Sequence, residues 1–279
     1  MVESTRQRTL RKAGIAAGVA ALLAWSLFPI YWIVNTSFKT DREIYAFPPT
    51  FLPEVVTLRQ YVAILFESQF PAFIANSLIV AVSVTMLSVV ISVLAAYPIA
   101  RWRFAGRSTM ARLIVVAYLL PPSLLFIPLF VVLRRLGLVD TLAGLTLAYL
   151  TFTVPFCTWM LIGSFRAVPA ELDEAAAIDG ATRLQSLLRV LLPITLPGIA
   201  VVCLFAFTHA WNEFLYALVF VYGAASQTFT AGLSGLVMGD TFIWGQLMAA
   251  SVVAILPIAV IYLIAQKYLI EGLAAGSVK

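Results

Sequence analysis

The sequence predicts an all-α, polytopic membrane protein with six transmembrane helices. Three observations predict it. Of the 279 residues, 62% are hydrophobic and only 11% are charged, whereas soluble domains are about half apolar and a quarter charged. Mean hydropathy is +0.99. The apolar residues gather into six runs, each near the roughly 20 residues a helix needs to cross a bilayer. Too few polar side chains remain to cover a water-facing surface, so lipid is the solvent this composition suits.

The first run, 15–34, follows Arg6, Arg8, Arg11 and Lys12. A basic start before an apolar stretch also describes a secretory leader. This run is long enough to span, and no small-x-small cleavage site follows it, so it is read as a retained first helix. Residues 39–70 are polar, with Pro48, Pro49 and Pro53 and the aromatics Tyr45, Phe47, Phe51 and Tyr61; they predict a loop with a short interfacial helix. The second span is 73–99, followed by a basic turn with Arg101, Arg103, Arg107 and Arg112. The third, 113–133, contains Pro121, Pro122 and Pro128, which should bend it because proline removes a backbone donor and clashes with the preceding turn. The fourth is 142–165, the fifth 198–221 and the sixth 242–265, with a loop at 222–241.

Charge orients these spans. Lys and Arg number 18, and the net charge is +5. With the N-terminus inside, 13 of the 18 fall on the inner side. Lys39, Arg42, Arg59, Arg134 and Arg135 fall on the outer side, a split that follows the positive-inside rule. The positive charge is thus an orientation signal and not a nucleic-acid footprint. The order is an N-terminus at 1–13, a first helix at 14–36, an extracytoplasmic loop at 37–71, a five-helix core at 72–266 and a tail at 267–279. Both termini are then cytoplasmic, and a cytoplasmic loop at 167–197 interrupts the core. Cys157 and Cys203 lie in apolar runs with neither disulfide nor zinc spacing. There is no internal repeat.

The loop reads RAVPAELDEAAAIDGATRLQSLLRVLLP over 166–193. Pro169 suits a helix start. Glu171, Asp173 and Glu174 crowd a first turn, where carboxylates favour the positive helix end. Gly180 suits a stop. From Thr182 a second segment places Leu184, Leu187, Leu188 and Leu191 at helical spacing. Two short helices outside the membrane, with an apolar stripe, make a docking knob or an ordinary surface helix.

The spacing carries a resemblance. Glu174-Ala175-Ala176, three residues, Gly180, nine residues, then Val190-Leu191-Leu192-Pro193 resembles the coupling motif of ABC importer permeases, with Val in place of Ile. EAAAIDGAT followed by LLPITLPG, NSLIVA at 76–81, AWNEF at 210–214 and GLAAGSVK at 272–279 are similar to the carbohydrate-uptake, maltose-transporter-type branch. The resemblance covers essentially the whole chain. It implies the type I ABC importer permease fold and a role as permease subunit of an ATP-driven, binding-protein-dependent importer of di- or oligosaccharides. The implied partners are a second, different permease, two ATPase subunits that use ATP and Mg, an extracytoplasmic sugar-binding protein and membrane lipid. This chain itself would bind no cofactor and no metal. Glu174, Ala175, Ala176, Asp179, Gly180, Leu192 and Pro193 would couple to the ATPase: the alanines by close packing, Gly180 by a turn, Glu174 by pairing with the partner, Asp179 by capping the next segment. Gly272, Gly276 and Lys279 would reach the ATPase from the tail.

Within the membrane, polar groups are few and therefore informative. His209 and Glu213 are four apart, with Asn212 beside them, which puts them on one face of the fifth helix. They and Asn76 are candidates for the translocation path; helix packing is the other reading, and for Asn76 a helix cap as well. Trp159, Trp211 and Tyr216 are aromatic candidates for stacking on sugar. The loop at 222–241, with Gly223, Gly232, Gly235 and Gly239, would be conformationally permissive and would contact the binding protein.

No phosphate-binding glycine loop is present, and no catalytic constellation points to an enzyme. An ABC permease for a non-sugar solute (glycerol phosphate, an amino acid or a peptide) would share the coupling loop. An ion-coupled secondary carrier would bring inverted repeats and charged groups at mid-membrane, and neither is visible.

Overall fold

The computed structural model describes residues 5–238 and 241–277, with side chains described for 11–237 and 243–266. In chain order the helices are α1 (Thr5–Ser37), α2 (Asp41–Ile44), α3 (Arg59–Phe66), α4 (Phe70–Arg101), α5 (Arg107–Leu119), α6 (Pro122–Arg135), α7 (Leu142–Ala167), α8 (Glu171–Ile178) and α9 (Arg183–Ser186). A π-helical turn at Leu187–Leu191 leads into α10 (Leu192–Ile194), then α11 (Leu196–Asn212), α12 (Leu215–Phe220) and α13 (Phe229–Ser234). A small antiparallel hairpin, β1 (Val237–Met238) and β2 (Thr241–Phe242), precedes α14 (Trp244–Ser277).

Among the described residues, four helices are long and apolar enough to cross a bilayer: α1 from Arg11, α4, α7 and α14 as far as Gln266. Two bent pairs qualify together, so the count is four, or up to six if each pair is one span. Prolines inside the long helices (Pro29, Pro98, Pro155 and Pro257) leave them intact, as membrane helices tolerate when neighbours re-satisfy the freed carbonyls.

The run expected as one bent helix at 113–133 is instead two helices meeting at 95°. Leu120 and Pro121 are extended, at ψ 126° and 124°. Each precedes a proline, whose ring drives the preceding residue out of the helical region. Two such residues in a row break the helix, and Pro122 then opens α6. The run expected at 198–221 also differs. It bends by 81° from the segment before it, and α11 stops at Asn212 because Glu213 is extended. The stretch expected as loop at 222–241 contains α13 and the hairpin.

The chain forms two compact units: Met1–Gln69 with Gly235–Ile255, and Phe70–Ser234 with Leu256–Lys279. In the second, α4 packs along α7 through small and hydroxyl side chains. Ser88 Oγ and Thr153 Oγ1 are 2.7 Å apart, and Thr158 donates to Ser92 Oγ at 3.1 Å. All four are buried. Such hydroxyl contacts are worth roughly 0.6 kcal/mol each in a membrane, and their small size lets the helices approach closely. Below them, Val93, Ala96, Cys157, Leu161, Phe165, Leu187, Leu191 and Val202 share one apolar cluster. It joins α4, α7, the π-helical turn and α11.

In the first unit, α1 exposes Ile15, Leu22, Trp25 and Leu27 alike, as a helix bathed in lipid does. Its end is polar and buried. Ser37 bonds Tyr61, and Lys39 donates to the Thr50 carbonyl. Here Glu43 gathers the 50–57 stretch: the Thr50 hydroxyl donates to its Oε1 at 2.6 Å and the Glu54 N–H at 3.0 Å. The Thr50 hydrogen bond holds the Glu43 carboxyl below its ordinary value of 4.5, against the opposing effect of burial, with the Glu54 N–H and Lys39 assisting. A lowered carboxyl contributes stability that is fully present above its unfolded value and is lost as pH falls through the folded one. Amide protection factors at 50–57, measured against the intrinsic exchange rate at each pH, are therefore expected to fall on acidification below 4.5, and Glu43→Gln should lower them at neutral pH and flatten that pH dependence. Equal protection in both proteins at every pH would refute this.

Candidate functional site

The interrupting loop folds as α8, a turn and α9. Glu171, Asp173 and Glu174 occupy the first turn of α8, where they meet the positive end of the helix dipole. Pro169 lies two residues before α8 and not within it. The turn is a Schellman motif. The Ala181 N–H donates to the Ala176 carbonyl at 2.9 Å and the Gly180 N–H to the Ala177 carbonyl at 3.1 Å. Gly180 sits at φ +79°, a conformation side chains with a Cβ resist.

Asp179 does not cap the following segment; it ends α8. The cap is Thr182, in a reciprocal box with Gln185: Gln185 N–H to Thr182 Oγ1 at 3.3 Å, Thr182 N–H to Gln185 Oε1 at 2.8 Å. A threonine followed three residues later by glutamine is a sequence-level capping signal, and it was available. Glu174, Ala175 and Gly180 are exposed and Ala176 faces inward. Ile178, 86% exposed, stands out with Leu172 and Leu184. Of the expected apolar stripe, Leu187 and Leu191 are buried in the cluster described above, while Leu184 and Leu188 are exposed. Leu192 is half-buried, Pro193 exposed.

Asp173 does more than favour the start of its helix. Its Oδ1 accepts from Ser186 at 2.7 Å, and its Oδ2 lies 3.2 Å from Arg101 Nε at the end of α4. Beside it the Tyr97 hydroxyl donates to the Arg183 carbonyl at 3.0 Å. The Arg183 guanidinium sits 4.5 Å from the Trp102 ring centre. The end of α4 thus grips both halves of the α8–α9 hairpin. At the other end of the segment, buried Thr195 returns its N–H and hydroxyl to the Leu191 carbonyl. That satisfies the carbonyl which the 81° bend would otherwise strand.

The second candidate region lies at the far end of α11. His209, Asn212 and Glu213 line one open cavity of about 480 Å³ with Phe205, Thr208, Phe214 and Tyr262. His209 and Glu213 are not on one helical face, because the helix ends between them. The Glu213 carboxylate instead accepts the Tyr216 N–H at 3.0 Å and the Ala217 N–H at 3.2 Å, capping α12. Its backbone carbonyl accepts the Thr230 hydroxyl at 2.7 Å. Asn212 donates to the Thr208 carbonyl at 2.9 Å.

Asn76 is elsewhere. It lies six residues inside α4, so it caps nothing, and its amide donates to the carbonyls of Ala225 and Gln227, both at 2.9 Å. Trp211 and Tyr216 are 1% and 0% exposed. They pack on Phe229 and Phe220 and offer no free face, whereas Trp159 is 46% exposed. Gly232 sits where a Cβ would strike the Phe73 ring, so this glycine serves close approach and not freedom. Gly239 and Lys279 lie outside the described residues, and Gly272 and Gly276 fall in the last turns of α14. Among the described residues no three His, Cys, Asp or Glu side chains cluster as a metal site requires.

A residue outside the sequence reading organises the 220–226 stretch. Asp140, at φ +60°, donates its N–H to the Phe220 carbonyl at 2.8 Å. Its Oδ1 accepts the N–H groups of Tyr222 at 3.0 Å and Gly223 at 2.9 Å, and its carbonyl accepts the Ser226 hydroxyl.

Comparison with known proteins places this architecture. Residues 88–274 match the family described as binding-protein-dependent transport system inner membrane component. The inner membrane ABC transporter permease protein YcjP of Escherichia coli (strain K12) is 37% identical over 99% of both chains. The sulfoquinovosyl glycerol transport system permease protein SmoH of Agrobacterium fabrum is 38% identical over 95% of this chain and 92% of its own. The trehalose/maltose transport system permease protein MalG of Thermococcus litoralis is 35% identical over 98% of this chain and 99% of its own. A solved bacterial ABC transporter involved in the import of the acidic polysaccharide alginate has a chain that superposes with a TM-score of 0.83 at 23% identity, over 96% of this chain and 99% of that one. A sequence match over most of the chain, relatives aligned end to end and a shared fold converge: this multi-pass membrane protein belongs to the binding-protein-dependent transport system inner membrane components, the permeases of ABC importers.

Proposed function

We propose that this chain is one permease of an ATP-driven importer of di- or oligosaccharides. It forms half of the translocation path with a second permease and rides on two ATPase subunits through α8. ATP and Mg belong to those ATPases, and the path receives sugar from an extracytoplasmic binding protein. Both termini are cytoplasmic, and the tail around Gly272, Gly276 and Lys279 reaches toward the ATPases. The relatives that transport trehalose/maltose, diacetylchitobiose and sulfoquinovosyl glycerol support the sugar assignment.

The observation that carries the coupling role is the exposed α8 hairpin, with Glu174, Ala175 and Ile178 outward on a segment rooted in the core by Leu187 and Leu191. An exposed apolar tip on a rigid root is what a mechanical contact needs. Nucleotide-driven closure of the ATPases would push α8 inward and open the path outward, and hydrolysis would reset it.

Purification of the tagged chain in mild detergent, followed by mass spectrometry, tests the assembly: an ATPase and a second permease should co-purify. In proteoliposomes carrying that complex, Glu174→Lys is expected to cut sugar uptake at least about tenfold, a loss of ~1.4 kcal/mol of productive coupling, with the chain still inserted. Normal uptake by this variant would refute the coupling role.

A further inference from the structure

Two cavities stand out, one lined by α11, its C-terminal end and Tyr262 of α14, the other by α5 and α7. One is that lined by His209, Asn212 and Glu213. The other, about 720 Å³, is lined by Arg112, Trp159, Met160, Ser164 and Arg166 among others. Both lie within the size range of small-molecule sites.

Aromatic rings run in a row from Trp159, in the lining of the larger cavity, to Phe205 and His209, in the lining of the other. Tyr118 lies parallel to Trp159 at 6.4 Å between centres, and Trp159 is 6.0 Å from Phe156. Phe156 stacks on Phe205 at 3.6 Å, and Phe205 is 5.3 Å from the His209 ring. Tyr118 and Trp159 are 39% and 46% exposed. Rings standing open on a helix face are unusual where helices pack on one another, because such contacts favour small residues.

The polar groups sit at the two ends of this row and not along it. Thr208, His209, Asn212 and Glu213 stand at one end, Arg112, Ser164 and Arg166 at the other. At each end, a ring beside donors and acceptors, Trp159 in one cavity and Phe205 in the other, matches a pyranose, which presents an apolar C–H face and a rim of hydroxyls. A lipid tail would use the rings but not the Asn, Glu and His.

We propose that Tyr118, Trp159, Phe156, Phe205 and His209 form a carbohydrate-contact track, along which sugar rings stack in passing between the two cavities. This rests on the sugar importer reading above. The stacked Phe156–Phe205 pair is the track's closed point: each ring covers the other's face, so the pair must part for a sugar to pass.

The test uses the complete importer in its native host membranes, with radiolabelled trehalose, maltose and diacetylchitobiose at saturating concentration. Trp159 is replaced by Ala, Leu and Phe, and Tyr118 by Leu and Phe. Each variant's uptake is expressed per permease assembled with its ATPases. For whichever sugar the unaltered importer takes up, Ala and Leu should lower the maximal rate about tenfold, as expected for lost stacking. Phe should restore at least half of it. Leu preserves apolar bulk, so Leu performing as well as Phe at both positions would assign the rings to packing or lipid contact and overturn the track. Unaltered uptake in Trp159→Ala would overturn it equally. If the unaltered importer moves none of these sugars and instead takes up an amino acid, a peptide or glycerol phosphate, the sugar reading itself fails, and the track with it.

Discussion

Gly180→Val is expected to abolish transport while leaving the protein folded in the membrane. Nothing lies within 4 Å of where a Cβ at Gly180 would stand, so no clash is involved. The penalty is in the backbone, held at φ +79°. A β-branched residue there costs about 1–3 kcal/mol, comparable with what the turn's two hydrogen bonds return at roughly 1 kcal/mol each. The cheapest relief is to open the turn, which re-aims α8 relative to the Thr182 cap. Because the α4–α7 packing lies away from the turn, global stability should change little. Uptake and ATP hydrolysis in proteoliposomes measure the effect: uptake should fall by more than about tenfold while hydrolysis persists. Gly180→Asn should retain most uptake, since asparagine tolerates the left-handed region. Equal uptake by Gly180→Val and the unaltered protein would remove the turn from the coupling mechanism.

Asp140→Ala should produce the largest loss of stability of any single exposed-loop change. The substitution strips the acceptor from the Tyr222 and Gly223 N–H groups. It also leaves a less tolerant residue at φ +60°. The part-buried Gly223 donor costs about 1–3 kcal/mol when abandoned, whereas the exposed Tyr222 N–H turns to water. A total near 1–3 kcal/mol follows, read as a lowered Tm in detergent together with lower amide protection at 221–228. Asp140→Asn keeps the Oδ1 acceptor and the backbone tolerance, so its Tm should stay near that of the unaltered protein. If Ala and Asn behaved alike, the carboxylate oxygen would not be what holds the stretch.

The four long apolar helices and the α8 hairpin were legible in the sequence because their signals are local. Hydropathy accumulates over 20 neighbours, and Glu174, Gly180 and Pro193 lie within 20 residues of one another. The turn at Gly180 and the bend near Pro121 follow from the residue types themselves, although the break at Leu120 and Pro121 exceeded the bend that proline alone suggests. The roles of Asp140, Asp173, Asn76 and Glu213 were not legible. Asp140 acts on residues 82 and 83 positions away, and Asn76 on residues 149 and 151 away. Arg101 meets Asp173 only because α4 and α8 end side by side. Glu213 was placed on a helical face by counting four from His209. That count assumes a helix that the extended backbone of Glu213 itself terminates.

The tie at Asp173 has a kinematic consequence. One carboxylate holds α4 through Arg101 and α9 through Ser186, while α9 continues into the segment that becomes α11. The hairpin is therefore a node where two load paths meet, not the free end of one. A displacement applied at α8 divides between α4, which carries it straight into the hydroxyl seam with α7, and the angled arm that ends at Thr195. The ratio of that division is set by the stiffness of the grip at the end of α4, the Arg101–Asp173 pair together with the Tyr97 and Trp102 contacts to Arg183. Weakening it would leave the input stroke unchanged and alter which of the two helices receives it.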